Sequence, residues 1–124
     1  STAGRDHAER LAGAAAARGV KPVAIWHSGK LRARQTAEPF LRLCNPLAEF
    51  SAIKGLQPGD SPGLIKDLLT GEAREVMLVG HMPSLPRLLT LLVTGDESSL
   101  LSFPLHGAVA LEPAGERWIE KWRI

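Results

Sequence analysis

Apolar residues along the chain alternate between helical spacing and short solid runs, and the switches divide it into helices and strands. Ala8, Leu11, Ala12 and Ala15 recur at helical spacing behind Ser1 and Thr2, both good N-cap residues. That alanine-rich run ends at Gly19, a C′ position. After Pro22, Val23-Ala24-Ile25-Trp26 reads as a short buried strand, with a tight turn at His27-Ser28-Gly29. A second helix turns Leu31, Thr36, Ala37, Phe40, Leu41 and Cys44 inward and stops at Asn45-Pro46. Residues 47–60 are irregular, with a short edge strand around Phe50 and turn chemistry at Gln57-Pro58-Gly59-Asp60. Ser61 and Pro62 open a third helix, Leu64 to Leu69, closed by Gly71. Val76-Met77-Leu78-Val79 is the most apolar strand, expected to be the most buried, and it ends in Gly80-His81. Pro83 and Ser84 then start a helix carrying Leu85, Leu88, Leu89 and Leu92 as far as Gly95. Residues 107–111, a turn at Pro113-Ala114-Gly115 and residues 117–124 form a terminal hairpin.

Strands that are apolar throughout, separated by helices, are the mark of a parallel sheet covered on both faces. The expected fold is a three-layer α/β/α domain over residues 1–124, its sheet mostly parallel with an antiparallel edge. With 124 residues, 44% hydrophobic and 23% charged, the composition excludes a disordered or fibrous chain. No apolar run approaches the roughly 18 residues that cross a bilayer, so no membrane partner is expected. The opening Ser1-Thr2-Ala3-Gly4-Arg5-Asp6 is not followed by the apolar core of a signal peptide. It also lacks an initiator Met, so the chain reads as a piece of a longer protein. Cys44, the single cysteine, fits no internal disulfide and no zinc or redox spacing, which points to a reducing, cytoplasmic setting.

Charge sharpens the picture only when located. The net charge is +2, but residues 1–42 hold eight basic side chains against three acidic ones. An anionic ligand near the front half fits that surplus. A nucleic-acid surface needs a denser basic stripe with aromatics for stacking, and the chain has no Tyr, three Phe and three Trp. In open parallel sheets ligands bind off the carboxyl ends of the strands. Two polar turns lie there: His27-Ser28-Gly29-Lys30-Leu31-Arg32 and Gly80-His81-Met82-Pro83. A helix N-terminus offers free N–H groups to an anion, and Arg32 in its first turn adds a bidentate fork. That cation opposes the helix dipole, a conflict that an anion relieves. His81 reaches the same crevice. Arg32 and His81 are therefore the candidate phosphate-binding residues, with no metal and no cofactor implied. Arg34 and His7 read as surface residues, Cys44 as a small apolar core residue, and Trp118 and Trp122 as a sheet face. No Walker loop, G-x-S-x-G elbow, H-E-x-x-H or metal-spaced cluster is present.

Three segments in order, "STAGRDHAERLA", "IWHSGKLRARQTAEPF" and "VMLVGHMPSLPRLL", with the softer pair "GLQPGDSP" and "HGAVALEP", resemble the histidine phosphatase superfamily across the whole chain. The likeness is greatest to its SixA-type phosphohistidine phosphatase branch. It implies a phosphoglycerate mutase-like fold, hydrolysis of phosphohistidine on a protein or of a small phosphomonoester, Arg32 as phosphate ligand and His81 as second active-site histidine. It places Ser28 in the same turn as a further phosphate-binding residue. The family's R-H-G nucleophile motif has no counterpart: none of His7, His27, His81 or His106 stands in that context. The expectation is a first strand upstream of Ser1, lying between strands 23–26 and 76–79 and separating them by about 10 Å, so that the chain alone is inactive. Met82 stands where acid-phosphatase relatives carry an Asp proton donor. The alternatives are a phosphate-binding domain without turnover and a mutase-like enzyme.

Overall fold

The computed structural model describes residues 2–124, so the N-cap expected at Ser1 lies outside the described residues. Helix α1 (Thr2–Ala17) is followed by β1 (Ala24–His27), α2 (Leu31–Cys44), β2 (Glu49–Ala52), α3 (Gly63–Thr70), β3 (Val76–Val79), α4 (Ser84–Thr94) and the hairpin β4 (Val109–Ala114) and β5 (Arg117–Arg123). Glycines end three of the helices, two of them in left-handed caps. Gly19, at φ 82°, closes α1 in a Schellman turn, with Val20 N–H donating to Ala15 O and Gly19 N–H to Ala16 O. Gly95, at φ 88°, closes α4 by donating to Leu91 O.

The sheet is parallel and three-stranded in the order β2-β1-β3, with Ile25 opposite both Phe50 and Met77. This corrects the expectation of a strand between β1 and β3: the two are hydrogen-bonded neighbours over all four residues. Helical periodicity and strand composition say which segments form strands but not their lateral order. The burial expected of β3 belongs instead to β1, whose four residues are all buried while β3 is buried only at Val79. Ladders on both sides seal β1, whereas the far edge of β3 has no partner among the described residues. The hairpin is a separate two-stranded ladder.

Pleat alternation divides the core into two layers. On one face Ile25 and Val79 pack with Ala12 and Ala15 of α1 and Ala33, Ala37 and Phe40 of α2. On the other, Ala24 and Trp26 meet Ile65 of α3, Leu88 and Leu92 of α4 and Leu56 of the connecting loop. Leu111 and Trp118 of the hairpin press against that second cluster. Leu31, expected inside, is 65% exposed because it stands in the first turn, at the mouth of the crevice. The ring of Trp122 lies under the Arg18 guanidinium, 4.8 Å from its centroid.

Candidate active site

Parallel pairing of His27 with Val79 brings the two polar turns side by side, since each turn begins where its strand ends. Gly29 takes φ 88°, the left-handed conformation that lets the chain reverse within one residue. The turn is fixed from inside by His27, a 5% exposed residue whose Nδ1 accepts the Gly29 N–H at 3.1 Å and whose ring lies 4.8 Å from that of Phe50. Burial, and then the charge of Arg34, lower the His27 pKa. His27 is thus a structural part of the turn.

Ser28 Oγ and His81 Nε2 share a hydrogen bond of 2.6 Å. Ser28 Oγ also accepts the Lys30 N–H at 3.3 Å. The His81 imidazole is held below the usual histidine range by burial first and then by the charges of Lys30 and Arg32. A lowered pKa favours the unprotonated imidazole, whose Nε2 can accept the Ser28 hydroxyl when the ring proton sits on Nδ1. Arg32 and Lys30 are exposed, near enough for their charges to act on His81, and neither has a carboxylate within ion-pair distance among the described residues. Helices α2 and α4 both begin here without a side-chain cap and without an acidic residue in the first turn. Uncapped N–H groups and two cations without a carboxylate partner lie beside the imidazole, a set of donors and positive charge that suits an oxyanion.

The structure thus brings Ser28 and His81 into contact, with Arg32 near enough to act on His81 electrostatically. Lys30 escaped the sequence reading. Its signal was its place as the residue entering α2, where any side chain overhangs the strand ends. His7 is not a plain surface residue: it stacks on His106, with ring centroids 4.3 Å apart and planes 10° apart, while Arg10 Nη2 donates to its Nδ1 at 3.4 Å. Both rings line a cavity of about 160 Å3 that also takes in His81, Gly80 and Leu85. Met82 is 53% exposed and offers no proton. Cys44 is half-buried against the first core layer, its thiol pKa raised by burial. No group of three or more His, Cys, Asp or Glu among the described residues could hold a metal ion. Nor is any helix among them long and apolar enough to cross a membrane.

These features define a class of fold, the phosphoglycerate mutase-like α/β arrangement of the phosphohistidine phosphatases. In particular, the chain superposes over its whole length on the protein histidine phosphatase SixA solved with tungstate, with a TM-score of 0.86, 22% identity and 81% of that chain covered. A structure assigned as a SixA phosphohistidine phosphatase of Agrobacterium tumefaciens gives a TM-score of 0.81, 24% identity and 80% coverage. At that identity the likeness establishes the fold. No family model and no curated protein matches the sequence.

Proposed function

We propose that this chain carries the phosphate-binding half of a metal-independent phosphatase acting on phosphohistidine in proteins or on a small phosphomonoester. The observation that supports it is the Ser28–His81 contact at paired strand ends, within the field of Lys30 and Arg32, on a fold shared with SixA structures. A phosphoryl group seated at the N-terminus of α2 takes the Arg32 fork and the free N–H groups on its equatorial oxygens. Its negative charge offsets the two cations that, after burial, lower the His81 pKa, which favours a protonated His81 that supplies its proton to the developing charge. The proposed chemistry is double displacement. The substrate P–N or P–O bond breaks as a histidine nitrogen bonds to phosphorus, and water then cleaves that new P–N bond to release phosphate.

No described histidine is suited to be that nucleophile: His27 is sealed in its turn, His81 is bonded to Ser28, and His7 and His106 are stacked on each other. We assign the role to a strand supplied from upstream and inserted between β3 and β4. The far edge of β3 and one edge of β4 lack partners among the described residues, while Leu78 of β3 and Leu111 of β4 pack against the same apolar cluster. The small cavity carrying His81 lies at the end of β3, where such a strand's own end would deliver its histidine. The same observations support a phosphate-binding domain without turnover if the upstream segment brings no histidine. The separating experiment is phosphate release from an aryl phosphate by the protein extended at its N-terminus, in the presence of EDTA. Turnover that Arg32→Ala and His81→Ala each reduce by orders of magnitude supports the enzyme; binding without turnover supports the alternative. Unaltered rates in both variants overturn the assignment of roles.

A further inference from the structure

Ser28 has a second side. Away from His81 it forms a wall of a cavity of about 480 Å3 at the ends of β1 and β2, lined also by Lys54, Gln57, Asp60 and Leu64. That volume far exceeds a phosphate and falls in the range of sites that take a small molecule or a peptide segment. Its rim is built in advance. Asp60 Oδ2 accepts the N–H groups of Gly55 at 3.1 Å and Gln57 at 3.0 Å, and Asp60 N–H donates to Gln57 O at 3.0 Å. Gly55 sits at φ 109°, where a Cβ would come within 3.0 Å of Ile65, and Leu56 beneath it is fully buried. The carboxylate in the wall is therefore committed to backbone. Lys54 is exposed and, among the described residues, has no carboxylate within ion-pair distance.

We infer that this cavity is the leaving-group subsite, and that it selects phosphohistidine carried on an acidic peptide segment, with Lys54 pairing to a flanking carboxylate. The inference rests on the proposed phosphatase reading and deepens it. A phosphoryl group bound by Arg32 and Lys30 leaves Lys54 as an uncompensated charge on the other side of Ser28, in the lining of the hollow that Ser28 walls. A flanking Asp or Glu meets that charge; a simple phosphomonoester does not reach it.

The test uses this chain and three probes: inorganic phosphate, a peptide bearing a non-hydrolysable phosphohistidine isostere with Asp and Glu flanks, and the same peptide with Asn and Gln flanks. Calorimetry should show the acidic peptide binding about three- to five-fold more tightly than the neutral one at low salt, the size of one exposed ion pair. Lys54→Ala should remove that preference and Lys54→Glu invert it, with phosphate affinity within two-fold of the parent and unchanged melting temperatures. Equal affinity of the parent for both peptides overturns the subsite alone. So does a Lys54→Glu loss that is as large for phosphate as for the acidic peptide. Failure of phosphate itself to bind, with or without Arg32, overturns the underlying reading and the subsite with it.

Discussion

Arg32→Ala separates function from stability in a single variant. The guanidinium stands in the first turn of α2, where no acidic residue and no side-chain cap offset the helix dipole, and its neighbour Lys30 repeats the unfavourable sign. A like-signed charge at a helix terminus costs about 0.3–1 kcal/mol, so its removal should stabilise the ligand-free chain by about that amount. For a domain of this size the gain corresponds to a melting temperature about 1–5 °C higher. The same change should weaken phosphate binding. A hydrogen bond to a charged group contributes about 1.5–3 kcal/mol, and exposure of Arg32 favours the lower part of that range, a loss of about ten- to thirty-fold. The His81 pKa should rise in the variant, because one of the two cations that depress it is gone. Differential scanning fluorimetry, calorimetry with phosphate and a histidine NMR titration read the three effects. A lower melting temperature with unchanged phosphate affinity would refute the reasoning, since Arg32 would then act as an ordinary structural residue.

Other expectations follow from the same geometry. His27 and His81 both have depressed pKa values, so the unfolded chain takes up protons near 6.5 while the folded chain does not. Their contribution is full above that pH and is lost as pH falls below it; urea denaturation at pH 7.5 and 5.5 should show lower stability at 5.5, and His81→Asn should reduce the difference. Ser28→Ala leaves the Lys30 N–H and His81 Nε2 without their partner and should cost about 1–2 kcal/mol, measured by the same denaturation. Ile25→Ala, at the fully buried centre of the sheet, should cost about 2–5 kcal/mol, and a cost below 1 kcal/mol would contradict the described core. A chain extended at its N-terminus by the proposed strand should melt at a higher temperature, because β3 has an edge without a partner among the described residues; an unchanged value would count against the inserted strand.

Local structure was largely legible because it is written in local chemistry. Val76–Val79 is a solid apolar run bounded by turn residues, and the strand has those limits. Gly19, Gly71 and Gly95 mark helix ends because a left-handed or open cap tolerates them best. Ser28 and His81 could be nominated because both follow strand ends. Lateral strand order was not legible: β1 and β3 are adjacent, and no periodicity in either segment encodes a neighbour. Burial followed topology rather than hydrophobicity, so the moderately apolar Ala24–His27 is sealed while Val76–Leu78 is half-exposed. Lys54 and the His7–His106 stack escaped notice because each depends on segments far apart in sequence meeting in space.

The most direct test of the oxyanion receptor is a crystal structure of the chain soaked with tungstate. The account predicts a tetrahedral anion over the N-terminus of α2, held by the Arg32 guanidinium and by a His81 imidazole that has released Ser28. Tungstate bound elsewhere, with the Ser28–His81 hydrogen bond intact and Arg32 pointing into solvent, would contradict it.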